Sequence, residues 1–180
     1  MKRANLLLVL LLVSVPVSLV AQVPPTPAAV KDQLAMLAST DAKLARNKKH
    51  VFDFWRIVYE GGHVDQAAKY MAAGYIQHNP NLPSGRDIFV NFFRTARPPK
   101  PISDHMKMPV VSITAEGDRV MILSARKVRD RADASHVYYI TWFDAFRIDS
   151  QGLIAEHWDP SEMWVDGKPP GAEFFADWDN

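Results

Sequence analysis

The chain has 180 residues, with 21 Lys and Arg against 20 Asp and Glu, and no cysteine. The missing thiols exclude thiolate catalysis, disulfides and thiolate metal sites. The balanced charge offers no concentrated basic surface for nucleic acid or an anionic membrane.

In chain order, residues 1–21 read as a secretory signal peptide. Lys2 and Arg3 precede an uncharged run from Leu6 to Ala21 that includes LLLVLLLV, too short for a comfortable bilayer span and interrupted by Pro16. The mature chain is therefore expected to be periplasmic or secreted, and its 159 residues carry 19 basic and 20 acidic groups. That length predicts one domain with a real core. Residues 22–50 form a Pro-rich leader and an N-terminal helix, residues 51–160 an α+β domain, and residues 161–180 a C-terminal strap.

Helix is predicted from Ala28 to Glu60, with a break near Ser39 to Asp41. Val51, Phe52, Trp55, Val58 and Tyr59 recur at the three-and-four spacing of an apolar helical stripe, and Gly61 and Gly62 stop it. The basic cluster ARNKKH at 45–50 reads as a solvated helix face. A short helix is predicted in VDQAAKYMAA. Tyr75 and Ile76 then open a strand that ends on Gln77, His78 and Asn79, before Pro80 and Pro83 forbid a regular ladder. Ser84, with Asp87 three positions later, announces another helix in IFVNFFRTA, with Ile88, Phe89, Phe92 and Phe93 as its buried side.

From His105 the pattern becomes that of strands. HMKMPVVSITAEG, DRVMILSARKV, HVYYITWFDAFRI and GLIAEHWDP are rich in β-branched and aromatic residues and are separated by turn compositions, which predicts an antiparallel meander. Helices followed by long strands give an α+β domain with helices laid across one face of a curved sheet. Trp164, Phe174, Phe175 and Trp178 are expected to dock the tail.

The last hairpin carries the chemistry. A two- or four-residue turn sets Ile148 against Leu153, Asp144 against His157, Trp142 against Asp159 and Phe146 against Ala155, all on one face. Phe143 and Trp158, and Arg147 with Glu156, would occupy the other. Directly opposed Asp and His have Cβ atoms about 5 Å apart, close enough for the carboxylate to fix the imidazole tautomer. Carboxylates and an imidazole among apolar side chains have the composition of a pocket wall, and equally that of a hydrogen-bonded core or rim. An odd-length turn would shift the register by one and remove the pairing. His50, His63, His105 and His136 lie in polar or turn contexts. Trp55 and Tyr59 suit the core or the lining of a cavity.

YIQHNPNLPSGRDIFVNFF, followed by FDAFRIDSQGLIAEHWDP, resembles the SnoaL-like polyketide cyclase branch of the nuclear transport factor 2-like superfamily, and especially its bacterial members labelled as aldol-condensation enzymes. The similarity runs from about Val51 to Asp159. It implies a cone-shaped barrel of helices packed on a strongly bent, mainly antiparallel sheet, with an internal cavity and a homodimer formed through sheet faces. It also implies cofactor-free acid/base chemistry next to a carbonyl, of aldol, cyclase or isomerase type, on a small apolar molecule. Carried onto this chain, Asp159 would be the general base, His78 and His157 would stabilise the enolate oxygen, and Asp144 would orient His157. Asn79, Trp55, Tyr59 and Trp142 would contact the substrate. Three other readings stand beside it: a non-catalytic small-molecule-binding module, a metal site built from His78, His157 and a carboxylate, and epoxide hydrolysis by acids flanking an Arg. For the last, Arg147 falls on the wrong face.

Overall fold

The computed structural model describes residues 30–130, 133, 135–161, 163 and 172–174, with backbone alone for residues 30, 31 and 172–174. The expected signal peptide, the leader up to residue 29 and most of the expected C-terminal strap lie outside them. No helix among the described residues is long and apolar enough to cross a membrane.

The predicted break in the N-terminal helix separates α1 (Val30–Ala35) from α2 (Ala42–Asp53). Asp41 caps α2, its Oδ1 accepting from the Lys43 and Leu44 N–H groups at 2.7 and 3.2 Å, which satisfies donors that have no intrahelical partner. The helix then widens into a π-helical segment, Phe54–Tyr59, that buries Phe54, Trp55, Ile57 and Val58. At its end the Trp55 indole donates to Glu60 Oε1 at 3.0 Å. Gly62 adopts φ +71°, and a Cβ there would lie 2.5 Å from the Arg97 carbonyl oxygen. The glycine pair thus ends the helix and also allows the chain end of α3 to approach.

VDQAAKYMAA departs from the expected helix. Val64–Lys69 is a 3₁₀ helix, and strand β1 (Met71–Gln77) begins immediately after it. Ser84 does not cap the next helix. Its Oγ instead accepts the Gln77 N–H at 3.0 Å, and Gly85 at φ +114° precedes α3 (Arg86–Ala96). Phe89 is buried, Phe93 is partly buried, and Ile88 and Phe92 are exposed, so the inward stripe is narrower than the sequence suggested.

Strands β2 (Val110–Glu116), β3 (Arg119–Asp130), β4 (Val137–Ile148) and β5 (Ile154–Trp158) form the predicted antiparallel meander. β1 joins its far edge in parallel with β5, giving the order β1-β5-β4-β3-β2 in a curved, unclosed sheet. A short β6 (Ala172–Phe174) pairs with Val128 to Asp130 of β3. Helices pack on the concave face, where Val51, Phe52, Val58, Met71, Met108, Val120, Ile122, Phe146 and Ile154 are at most 1 % exposed. This α+β arrangement is the one the element order predicts.

Candidate active site

Two departures from the expected hairpin cancel. Asp149 N–H donates to the Leu153 carbonyl at 2.9 Å across a turn of three residues, tightened by Asp149 Oδ1, which accepts from Gln151 and Leu153 N–H. This odd turn sets Ile148 against Ile154 rather than Leu153. Ala155 is then the extra residue of a β-bulge, after which Arg147 faces Glu156, Phe146 faces His157 and Ala145 faces Trp158. The bulge restores the original in-and-out alternation. Asp144 is therefore not directly opposite His157 but one step diagonal to it, on the same inward face.

The diagonal contact is made by side-chain reach. His157 Nε2 lies 3.2 Å from Asp144 Oδ1, and Arg126 Nη2 donates to Asp144 Oδ2 at 3.2 Å. The Asp144 side chain is 2 % exposed. A bare carboxylate that deeply buried would be costly, and the two partners offset its desolvation. Arg126 crosses the Trp142 ring with its Cζ 4.3 Å from the centroid. On the other side of the imidazole, Nδ1 faces Gln77 Oε1 at 3.1 Å, brought there because β1 and β5 pair Gln77 with His157. Both ring nitrogens thus face acceptors within the protein. The ring itself stacks on Phe146 at 4.6 Å and 24°.

Asp159 leaves the end of β5 beside this group. Asn79 Nδ2 donates to both its oxygens, at 2.9 and 3.1 Å. Asn79 Oδ1 in turn accepts from the Asn81 backbone N–H at 2.8 Å, which fixes the carboxamide. Burial pushes the Asp159 carboxyl above its ordinary 3.8; the His157 charge and the Asn79 hydrogen bonds pull it back, and Asp144 adds to the rise. One ligand-type atom from each of Asp144, His157 and Asp159 lies within 4.8 Å of the others. Tyr75 of β1, 3 % exposed, is packed against Phe89 and lies within the field of the Asp159 and Asp144 charges. Burial first, then the charges of Asp159 and Asp144, push its phenol pKa far up, so the group remains an O–H donor.

The structure therefore brings together Asp144, His157, Asp159, Asn79 and Trp142. It separates His78, which is 37 % exposed on the outer face, stacked on Trp158 at 4.4 Å and 6°, with its Nε2 2.9 Å from Glu156 Oε2. Glu156 also pairs with Arg147, as the outward placement of Arg147 requires. The correction has a simple cause: consecutive residues at a strand end point to opposite sides, so Asn79 and His78 cannot both face inward. Trp55 is a core residue, 2 % exposed and edge-on to Phe146 at 6.2 Å. Tyr59 packs on Trp55 at 4.5 Å and lies under the Arg97 guanidinium at 4.2 Å. Neither reaches the cluster through any of these contacts. Gln77, Tyr75 and Arg126 are not among the site residues that the sequence points to. Two-residue alternation through Tyr75, Gln77 and Asn79 could have found the first two; Arg126 depends on the β3–β4 register.

A SnoaL-like domain family model matches residues 51–157. No curated protein is detectably similar to the chain. Solved structures are similar at low identity. TsrD from Streptomyces laurentii is 21 % identical, with a TM-score of 0.42 over 68 % of this chain and 90 % of that one. A candidate polyketide cyclase from Acidithiobacillus ferrooxidans is 18 % identical, with a TM-score of 0.46 over 68 % and 89 %. An LEH-like epoxide hydrolase from M. tuberculosis is 12 % identical, with a TM-score of 0.45 over 63 % and 76 %. With more than half of its length matched by that model, the chain belongs to the SnoaL-like domain family.

Proposed function

We propose that the protein is an exported acid/base enzyme that moves a proton at carbon next to a carbonyl, in an aldol, cyclase or isomerase reaction on a small apolar substrate. The observation that carries this reading is Asp159, a carboxylate whose proton affinity is raised by burial while Asn79 holds its oxygens in place. A base needs such a shift to work near neutrality. The enolate oxygen requires a donor, and that role passes from the histidines to Tyr75. His78 faces outward, and both nitrogens of His157 are already engaged by Asp144 and Gln77. His157, with Asp144 and Arg126 behind it, is then the polar wall that sets the charge around Asp159. Pairing of two copies through the outer sheet face, where Ile76, Met121 and Phe143 are exposed, belongs to the same proposal.

The test is solvent deuterium incorporation, followed by NMR, at the carbon next to the carbonyl in a panel of small ketones and β-keto esters. The wild-type protein should exchange at least one of them, and Asp159→Asn should slow that exchange by roughly 10² to 10⁴ with the fold intact. Equal rates in the two proteins would overturn the assignment of the base. Binding of panel members with no exchange by the wild type would favour a non-catalytic binding module.

The mutual approach of Asp144, His157 and Asp159 within 4.8 Å favours a second reading, a divalent-cation site. It differs from the sequence-derived set because Asp144 replaces His78. Against it, Arg126 already places a positive charge on Asp144. Metal analysis of purified protein, with a thermal-shift series in zinc and manganese, separates the two readings.

A further inference from the structure

At the opposite end of the β4–β5 hairpin from Asp159, the turn at 149–153 and α2 enclose a cleft of about 580 Å³. Lys43, Arg46 and Asn47 line it from the helix. Their three-and-four spacing places them on a single helical face, and Arg46 and Asn47 belong to the segment 45–50 that the sequence presents only as a solvated surface. The structure makes that surface one wall of a concavity.

The charges in this cleft do not balance internally. Asp118 is engaged by Arg119 at 2.9 Å, Asp149 Oδ1 caps its own turn, and Arg147 is paired with Glu156. Among the described residues, neither the Lys43 ammonium nor the Arg46 guanidinium has an acceptor. Asn47 is 7 % exposed, and its Nδ2 is shut away from solvent with no hydrogen-bond partner.

We infer that this cleft binds a small hydroxylated organic acid, whose carboxylate is held by Lys43 and Arg46 and whose hydroxyl groups meet Ser150 and Gln151. The volume falls in the range of small-molecule sites, roughly 300 to 1,000 Å³, and exceeds what a bare inorganic ion fills. The lining charges, three basic and two acidic, leave a surplus of one, which suits a monocarboxylate better than a phosphate dianion. The arginine fork matches the planar carboxylate.

The inference is tested by titrating the full-length ¹⁵N-labelled protein with gluconate, and separately with inorganic phosphate and acetate. Gluconate should give saturable shifts at amides 43–47 and 149–153. The exposed double substitution Lys43→Gln with Arg46→Gln should weaken that response about tenfold or more, while Asp159→Asn leaves it unchanged. The proposal fails if gluconate produces no saturable shift, if the double variant binds as the wild type does, or if phosphate or acetate binds as tightly as gluconate. The last result would mean simple attraction of counterions.

Discussion

Replacing Asp144 by alanine tests whether the inner cluster is a buried ionic network. The carboxylate is 2 % exposed and bonded to Arg126 and His157, whose side chains are 11 % and 10 % exposed. Two charge-assisted hydrogen bonds at about 1.5–3 kcal/mol each amount to roughly 3–6 kcal/mol. Breaking a buried pair by removing one partner independently suggests about 3–5 kcal/mol, because buried positive charge loses its counterion. Against a total stability of about 5–15 kcal/mol, a loss near 4 kcal/mol leaves a marginal domain. Urea unfolding at neutral pH, followed by the fluorescence of the five tryptophans, reads it directly. With a slope of about 1–3 kcal/mol/M, the midpoint should fall by roughly 2 M. Asp144→Asn, which keeps one acceptor oxygen but no charge, should lie between the two. A shift below about 1 kcal/mol in the alanine variant, the value of an exposed pair, would refute the buried network.

Three further outcomes are expected. His78→Phe keeps a ring against Trp158 and loses only a partly exposed pair to Glu156, so its unfolding free energy in urea should change by less than about 1 kcal/mol and deuterium exchange should be unchanged; lost exchange would return His78 to the chemistry. Gly62→Ala places a Cβ 2.5 Å from the Arg97 oxygen at a positive φ. It should cost about 2 kcal/mol or more, measured by thermal unfolding, and a neutral result would contradict the close approach. Asp159 gives a pH dependence of known sign. Because its folded carboxyl is raised above 3.8, the folded state holds the proton more tightly than the unfolded one. The associated stability is complete below the unfolded value and is lost as pH rises through the folded value. Unfolding curves of wild type and Asp159→Asn should therefore diverge in favour of the variant as pH is raised from about 4 toward neutrality. A constant gap, or one that closes, would contradict the shift.

The α+β order, the break at Asp41, the glycine stop and the antiparallel meander were legible because local chemistry decides them: a capping carboxylate, a positive φ, alternation of β-branched residues. What sequence could not supply was geometry fixed by partners far along the chain. Ser84 has the look of a cap, but it is claimed by Gln77 N–H across the loop. Met71 has helical propensity and is drawn into β1 by pairing with Ile154 of β5, a tertiary override of a weak local preference. Asp144 and His157 share a face as the sequence predicts, but by way of an odd turn whose one-residue shift the bulge at Ala155 reverses. Arg126 sits 18 residues before Asp144, and only the strand register reveals that it reaches back. His78 was grouped with Asn79 by motif, where alternation alone would have set them apart.

The bulge also makes this hairpin unusually sensitive to coding changes that alter length by a single codon. Excising Ala155 would exchange the two faces of the rest of β5, turning the imidazole of His157 to solvent and driving Glu156 and Trp158 toward the packed interior. Excising one turn residue as well would bring the alternation back into phase. Homologous sequences should accordingly tolerate indels here in compensating pairs and reject them singly.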